Sequence, residues 1–474
     1  MTDHVTPHYQ EPVTWSALFH GRLAIYSMIF GGSVALHALN VFIATTIMPS
    51  VVDDIGGLEV YAWTSTVFAI ISILSAAFAS RLLVLAGANW SYVIAATIFS
   101  AGTLACALSP NIWVLIFGRA VQGLGGGLFY TLAYAVIRMA YPDRLWSIAI
   151  GLITVMWGVA TLTGPAIGGV FAESGSWRMA FWAFVPFAIL FGTAAFFVLP
   201  KRDKNRTTVE GLPILQIGLL IAIVLTLSVG SIDVTIKKAS LSVAAAIVLA
   251  WILVRIERQA KARLLPKGGF SLKTSLGAHY ACIALLLIGM QPEIFAPYFL
   301  QVLHDQSPLW AGYIGALMAL GWTAGSVLSA SWKGRKASRT LMIGPVLGVI
   351  GLLLQAWFLS LPSQGEIQVL GPICTGLIMV GFGIGVCWPH IVTRVYERAP
   401  ATEQELAAGG VTTIQLFATA LGAALGGMVV NLAGINTSDS AHSASNAAVW
   451  LCVLFAASPL LGVFAARMAL SVQR

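Results

Sequence analysis

A chain of 474 residues that is 58% hydrophobic and only 9% charged is not an ordinary soluble domain, in which roughly a quarter of residues are charged. Its formal charge of +8 does not mark a nucleic-acid binder, because the basic residues fall in short loops between apolar runs, the pattern that orients a membrane protein. The five cysteines, Cys106, Cys282, Cys374, Cys387 and Cys452, lie inside apolar runs without a C-x-x-C pair and read as small hydrophobes, not as disulfides or metal ligands.

Residues 1 to 21 are polar and contain no short apolar core followed by a cleavage site, so no cleaved signal peptide is expected. Windows of about 20 apolar residues then predict about fourteen spans. They begin near Arg22, Tyr61, Trp90, Ile112, Leu145, Met179, Gly211, Ala239, Ser275, Leu309, Thr340, Ile367, Leu406 and Ser445. With the N-terminus inside, the inner loops collect Arg81, Arg138, Arg144, Lys201, Arg202, Lys204, Arg206, the basic run from Arg255 to Lys273, Lys333, Arg335, Lys336, Arg339, Arg394, Arg398, Arg467 and Arg474. The outer loops keep only Arg178, Lys237 and Lys238. This asymmetry predicts that both termini are cytoplasmic.

The first span carries His37 and Asn40, one helical turn apart. An imidazole titrates at about pH 6.5, so His37 is a candidate for proton coupling, with a satisfied core donor as the alternative. The fourth span reads L-I-F-G-R-A-V-Q-G-L-G-G-G from Leu115 to Gly127 and sets Arg119 inside an apolar helix. Arg119, Gln122, Gly126 and Tyr130 follow at steps of three or four and form one polar, small-residue stripe. A guanidinium facing lipid would cost between about 3 and more than 10 kcal/mol, so the stripe must face protein or water. Arg119 is then either a functional group or a lock between neighbouring helices.

The fifth span contains G-V-A-T-L-T-G-P-A-I-G-G, in which Gly158, Gly164, Gly168 and Gly169 share a face with Pro165, allowing close helix approach and a local bend. Trp157 lies mid-span just before it. In the second half, M-Q-P-E-I-F-A-P-Y-F-L-Q places Glu293 deep in a span between Pro292 and Pro297, whose missing amide donors break regular helix. A buried acid on a broken helix suits a transport site; the alternatives are a structural bridge or a position nearer the outer interface. Gln291, Tyr298, Trp322, Trp388 and His390 join Asn40, Gln122, Tyr130 and Trp157 as candidate lining of a central substrate cavity. Trp90, Trp113 and Trp177 read instead as interfacial anchors.

Shifting the sequence by 258 residues superposes Gly151, Thr154, Thr161, Gly164, Gly168 and Gly169 on Gly409, Thr412, Thr419, Gly422, Gly426 and Gly427. Such a repeat predicts two parallel halves. The expected organisation is an N-terminal segment (1–21), a six-helix bundle (22–205), two inserted helices (206–262) and a second six-helix bundle (263–474).

The Arg119 stretch and the Gly158 to Gly169 stretch together resemble the major facilitator superfamily: the first matches its fourth-helix pattern R-x-x-Q-G, the second its fifth-helix pattern G-x-x-x-G-P-x-x-G-G apart from Ala160 at the first glycine. The six-two-six plan is similar to the fourteen-helix drug:proton antiporter branch, as are W-R-M-A-F-W-A-F-V-P (Trp177–Pro186) and Y-F-L-Q (Tyr298–Gln301). The resemblance implies an all-α fold of two six-helix bundles with two extra helices, a small-molecule substrate, proton coupling and a monomer in a bacterial cytoplasmic (inner) membrane. Two segments depart from it. The branch carries an aspartate in L-D-x-T-x-x-N-x-A-L-P, where this chain has A-L-N-V-F-I-A-T-T-I-M-P with Asn40 in its place; an amide does not exchange protons near neutral pH. The loop pattern G-x-x-x-D-R-x-G-R-R is replaced by A-S-R-L-L-V-L-A-G-A-N-W, which keeps Arg81 and loses the acid.

No phosphate-binding loop in a soluble context, dinucleotide fingerprint, H-E-x-x-H motif or nucleophile with a base is present, so neither an enzyme nor a cofactor or metal is expected. The expectation is a secondary transporter that exports an amphipathic organic compound against protons, with Arg119 and Glu293 facing one cavity from opposite halves. The alternatives are a dedicated exporter of a siderophore or other anionic metabolite, and a non-transporting membrane receptor or scaffold.

Overall fold

The computed structural model describes residues 15–202, 211–232, 234–435 and 440–471, so the expectations for Lys204, Arg206 and Arg474 lie outside the described residues. The described chain is helical, without a strand. Its helices are α1 (Gly21–Ile55), α2 (63–86), α3 (88–107), α4 (Ile112–Ala140), α5 (Trp146–Glu173), α6 (Trp177–Val198), α7 (Ile214–Gly230) and α8 (Ile236–Gln259). The second half adds α9 (Ser275–His304), α10 (Pro308–Ser329), α11 (Gly334–Phe358), α12 (Ile367–Arg398), α13 (Gln404–Leu432) and α14 (Ser440–Ser471).

Among the described residues, twelve segments are long and apolar enough to cross a membrane. One of them, Leu58–Ala107, is broken at Gly87, whose φ of 78° is left-handed, so it supplies both α2 and α3. The shorter apolar helix α7 completes the fourteen. Starts follow local chemistry: the side chains of Asn111, Thr274 and Ser307 accept hydrogen bonds from the Val114, Gly277 and Trp310 amides and cap α4, α9 and α10. The largest boundary difference is at α11. It begins at Gly334, not near Thr340, because its first turns are the basic run R-K-A-S-R, helical yet too polar for an apolar window to register.

Helices α1 to α6 pack among themselves, with α1 against α4, α5 and α6, and α4 against α2 and α3. Helices α9 to α14 do likewise, with α12 against α10 and α11, and α14 against α9 and α11. The two groups meet along α5 with α10 and α2 with α13. Glycines make these seams. A β-carbon on Gly169 would lie 2.5 Å from the Leu309 Cα, and one on Gly427, its repeat equivalent, 2.9 Å from the Ala62 Cβ. The repeat thus places equivalent glycines at equivalent crossings between the halves. Within each half, Gly164 approaches Phe42 on α1 as Gly422 approaches Gln291 on α9. Gly158 has nothing within 4 Å, so it makes none of the close approach expected along that face.

The inserted helix α7 leans on α13 and α2. Asn431 donates to the Glu59 and Ser231 carbonyls at 2.7 and 2.8 Å, and the Trp63 indole donates to the Ser228 carbonyl at 3.1 Å, which ties both halves to the end of α7.

Candidate functional site

The polar stripe of α4 faces α1. Arg119 is 2% exposed; its Nε donates to the Thr64 carbonyl at 3.1 Å, and its Nη1 to the Gln122 Oε1 at 2.6 Å and to the Asn40 Oδ1. Its guanidinium also lies 4.2 Å over the Phe68 ring. Gln122 passes the network to the Thr103 hydroxyl at 2.9 Å. Every partner is neutral, so the charge is solvated by oriented dipoles and a ring face rather than by an acid, and Asn40 supplies an amide oxygen where a carboxylate would have made an ion pair.

One turn toward the other end of the stripe, a β-carbon on Gly126 would lie 3.1 Å from the His37 Nδ1, and the His37 ring stacks on Tyr130 with centroids 5.2 Å apart. Phe68 at 5.4 Å and Trp157 at 6.0 Å complete an aromatic box around the imidazole, while Tyr130 and Trp157 remain partly exposed. His37 Nδ1 and Asn40 Nδ2 are buried without a hydrogen-bond partner among the described residues.

The second centre forms where α9 is interrupted. Regular helix runs from Ser275 to Gly289, a 3-10 turn holds Gln291–Phe295, and helix resumes at Ala296, as the flanking prolines predict. Glu293 opens onto a crevice of about 10 Å³ lined by Phe42, Thr45 and Thr46 of α1, Pro165 of α5, Pro297, and Gly312, Gly315 and Ala316 of α10. That is room for about one water molecule. The Thr45 and Thr46 hydroxyls donate back to the Val41 and Phe42 carbonyls at 3.0 and 2.9 Å, leaving their lone pairs free. Among the described residues the Glu293 carboxyl has no ion pair and no side-chain hydrogen bond, so the reading of Glu293 as a structural bridge is not what the geometry shows.

Arg119 and Glu293, expected to share a cavity, have no common partner: Arg119 is sealed inside the first half, whereas Glu293 sits in the seam between the halves. The other candidates divide similarly. Gln291 is buried, with its Nε2 donating to the Leu287 carbonyl at 2.9 Å and its stem against Gly422, so it fills a helix contact. Tyr298 packs edge-on to Tyr61, itself stacked on Phe295 at 5.1 Å. Trp322 and Trp388 pair at 5.1 Å and stay partly exposed. His390 is buried beside the Ser329 backbone, the last residue of α10. An apolar cavity of about 240 Å³ between α1, α5 and α6 carries no polar side chain and is lined in part by exposed Phe187.

Thr45, Thr46, Thr64, Phe68 and Asn431 were missed from sequence. Thr45 and Thr46 stood in the quoted first-helix segment, and Asn431, an amide ending an apolar span, was a visible signal; Thr64 acts through its backbone and left none.

Two packed halves of long apolar helices define a multi-pass membrane protein. The chain belongs to the Major Facilitator Superfamily, whose family model matches residues 30–426. It is 32% identical over 441 residues to a Mycobacterium tuberculosis protein bearing the name "Probable multidrug-efflux transporter", covering 90% of this chain and 92% of that one. It is 26% identical over 399 residues to the multidrug transporter protein MdtP of Bacillus subtilis, covering 82% and 71%. In fold it is similar to the crystal structure of a peptide transporter POT in complex with sulfate (TM-score 0.69, 12% identity, 94% of each chain) and to that of a D-xylose-proton symporter (TM-score 0.63, 14% identity, 95% and 97%).

Proposed function

We propose that this chain exports amphipathic organic compounds from a bacterial cytoplasm by alternating access, with residues 22–205 and 263–474 rocking as two bundles and Glu293 carrying the coupling proton. The observation that carries this reading is the unpaired Glu293 carboxyl in the seam that must open. A carboxylate enclosed there without a donor is costly, whereas its protonated form is tolerated. Closure of the seam over Glu293 therefore favours the neutral acid, and ionisation favours opening. The relatives named for multidrug efflux support the direction and the breadth of substrate. Partly exposed Tyr130, Trp157, Trp322 and Trp388 supply apolar faces for such a substrate, and the loop charges support cytoplasmic termini.

The test is substrate flux in proteoliposomes under an imposed pH gradient, with cationic dyes, neutral drugs and anionic chelators as probes. Proton counterflow with one class, abolished in Glu293→Gln while that class still binds, is expected; unchanged pH-driven flux in Glu293→Gln overturns the assignment. The second reading is export of an anionic metabolite such as a siderophore. It requires the chelators, not the dyes, to drive proton movement. Absence of any flux would leave a receptor or scaffold.

A further inference from the structure

The end of the second bundle where α9 begins and α12 ends gathers cations that the transport reading does not use. Arg394 donates to the Ser338 hydroxyl at 2.7 Å, and Arg398 donates to the Ser275 hydroxyl. His279 Nδ1 lies 2.6 Å from the Ser275 carbonyl, and its ring is fully buried within electrostatic range of both arginines. His390, 8% exposed, also lies within range of Arg394.

The Arg394 Nη1 is buried without a hydrogen-bond partner among the described residues, whereas His279, whose Nδ1–H donates to the Ser275 carbonyl, presents its Nε2 as the acceptor of a neutral ring. Buried donors are normally satisfied, and a buried charged donor is the most expensive to leave bare. Among the described residues no carboxylate closes the gap. Glu397, the acid that acts on Arg394, is exposed and forms no ion pair among the described residues. Ser338 sits in the opening turns of α11, a 25-residue helix whose N-terminus adds a positive dipole end. Nor does the fold require this cluster: the same shift of 258 residues puts Leu132, Val136 and Ala140 in the first half at the places of His390, Arg394 and Arg398.

We infer that Arg394 and Arg398 form a site for a phosphate-type oxyanion, which Arg394 grips with its free Nη1 while Ser338 holds the other arm of the fork. Such an anion comes either from an anionic phospholipid headgroup in the adjoining leaflet or from free phosphate in solution. Because all the groups belong to α9, α11 and α12, the ligand braces one bundle without crossing the seam.

The experiment is native mass spectrometry of the full-length protein in micelles containing phosphatidylcholine with phosphatidylglycerol, with and without inorganic phosphate. One phosphatidylglycerol is expected to be retained, with affinity lowered about tenfold or more in Arg394→Gln, the worth of a charge-assisted hydrogen bond. Arg398→Gln supplies the same comparison should the first variant fold poorly, and Arg394→Lys, which keeps charge but loses the fork, is expected to fall between. The control is Arg335→Gln, an exposed cation of the same basic run. Equal loss in the control overturns the site in favour of general surface charge, and so does the absence of affinity for both probes. Retained lipid that millimolar phosphate does not displace identifies the headgroup as the source. Phosphate that binds alone and displaces the lipid identifies the free anion.

Discussion

Arg119 and Glu293 are both ionisable groups set in apolar helices, yet the structure treats them in opposite ways. Arg119 is held from α1, α2 and its own helix by three hydrogen bonds and a ring face; the Glu293 carboxyl has none among the described residues. A buried ion saturated with oriented dipoles resists change, because any movement strips several bonds at once. A bare carboxyl in a seam can exist in two protonation states at two degrees of closure. The contrast teaches that a membrane-buried charge is read by its partners rather than by its depth: Arg119 is locked into the first bundle, and in the proposed mechanism Glu293 is the group that switches.

The largest expected effect comes from exchanging the roles. Glu293→Gln is expected to abolish pH-driven flux in proteoliposomes while the purified protein melts close to wild type, since no bond is lost. Arg119→Met is expected to do the reverse and fail first as a protein. Losing charge-assisted bonds to Asn40, Gln122 and Thr64, at about 1.5–3 kcal/mol each, leaves three buried acceptors bare, read as a collapse of the melting temperature in detergent. A folded, fully stable Arg119→Met would erase the distinction.

The seam itself gives the next test. Gly169→Val forces side-chain atoms onto the Leu309 backbone and is expected to hold that side of the seam open, measured as increased labelling of a cysteine placed at Thr46. Gly158→Ala, in the same stretch but with nothing within 4 Å, is expected to leave labelling unchanged and stability within about 0.5 kcal/mol. Asn40→Asp probes the Arg119 side of the contrast. A carboxylate turns the bond to Arg119 into an ion pair and removes the orphaned Nδ2, so a gain of about 1 kcal/mol in detergent melting is expected. A loss of stability would mean that the first bundle is built for a neutral partner.

The sequence by itself determined the solvent, the all-helical architecture and the break at Glu293. These follow from composition, from periodicity and from prolines that cannot donate, all local properties of the chain. The stripe Arg119, Gln122, Gly126 and Tyr130 was equally legible, because helical geometry fixes which side chains share a face. What that face meets was not. Only the tertiary structure decided that α1 lays Asn40 and His37 along the stripe, that a backbone carbonyl of α2 takes the Arg119 Nε, and that Gly169 rather than Gly158 touches the opposite half. Helix rotation and crossing depth are set by packing against partners distant in sequence, and a few ångströms there separate a sealed ion from one poised between two bundles.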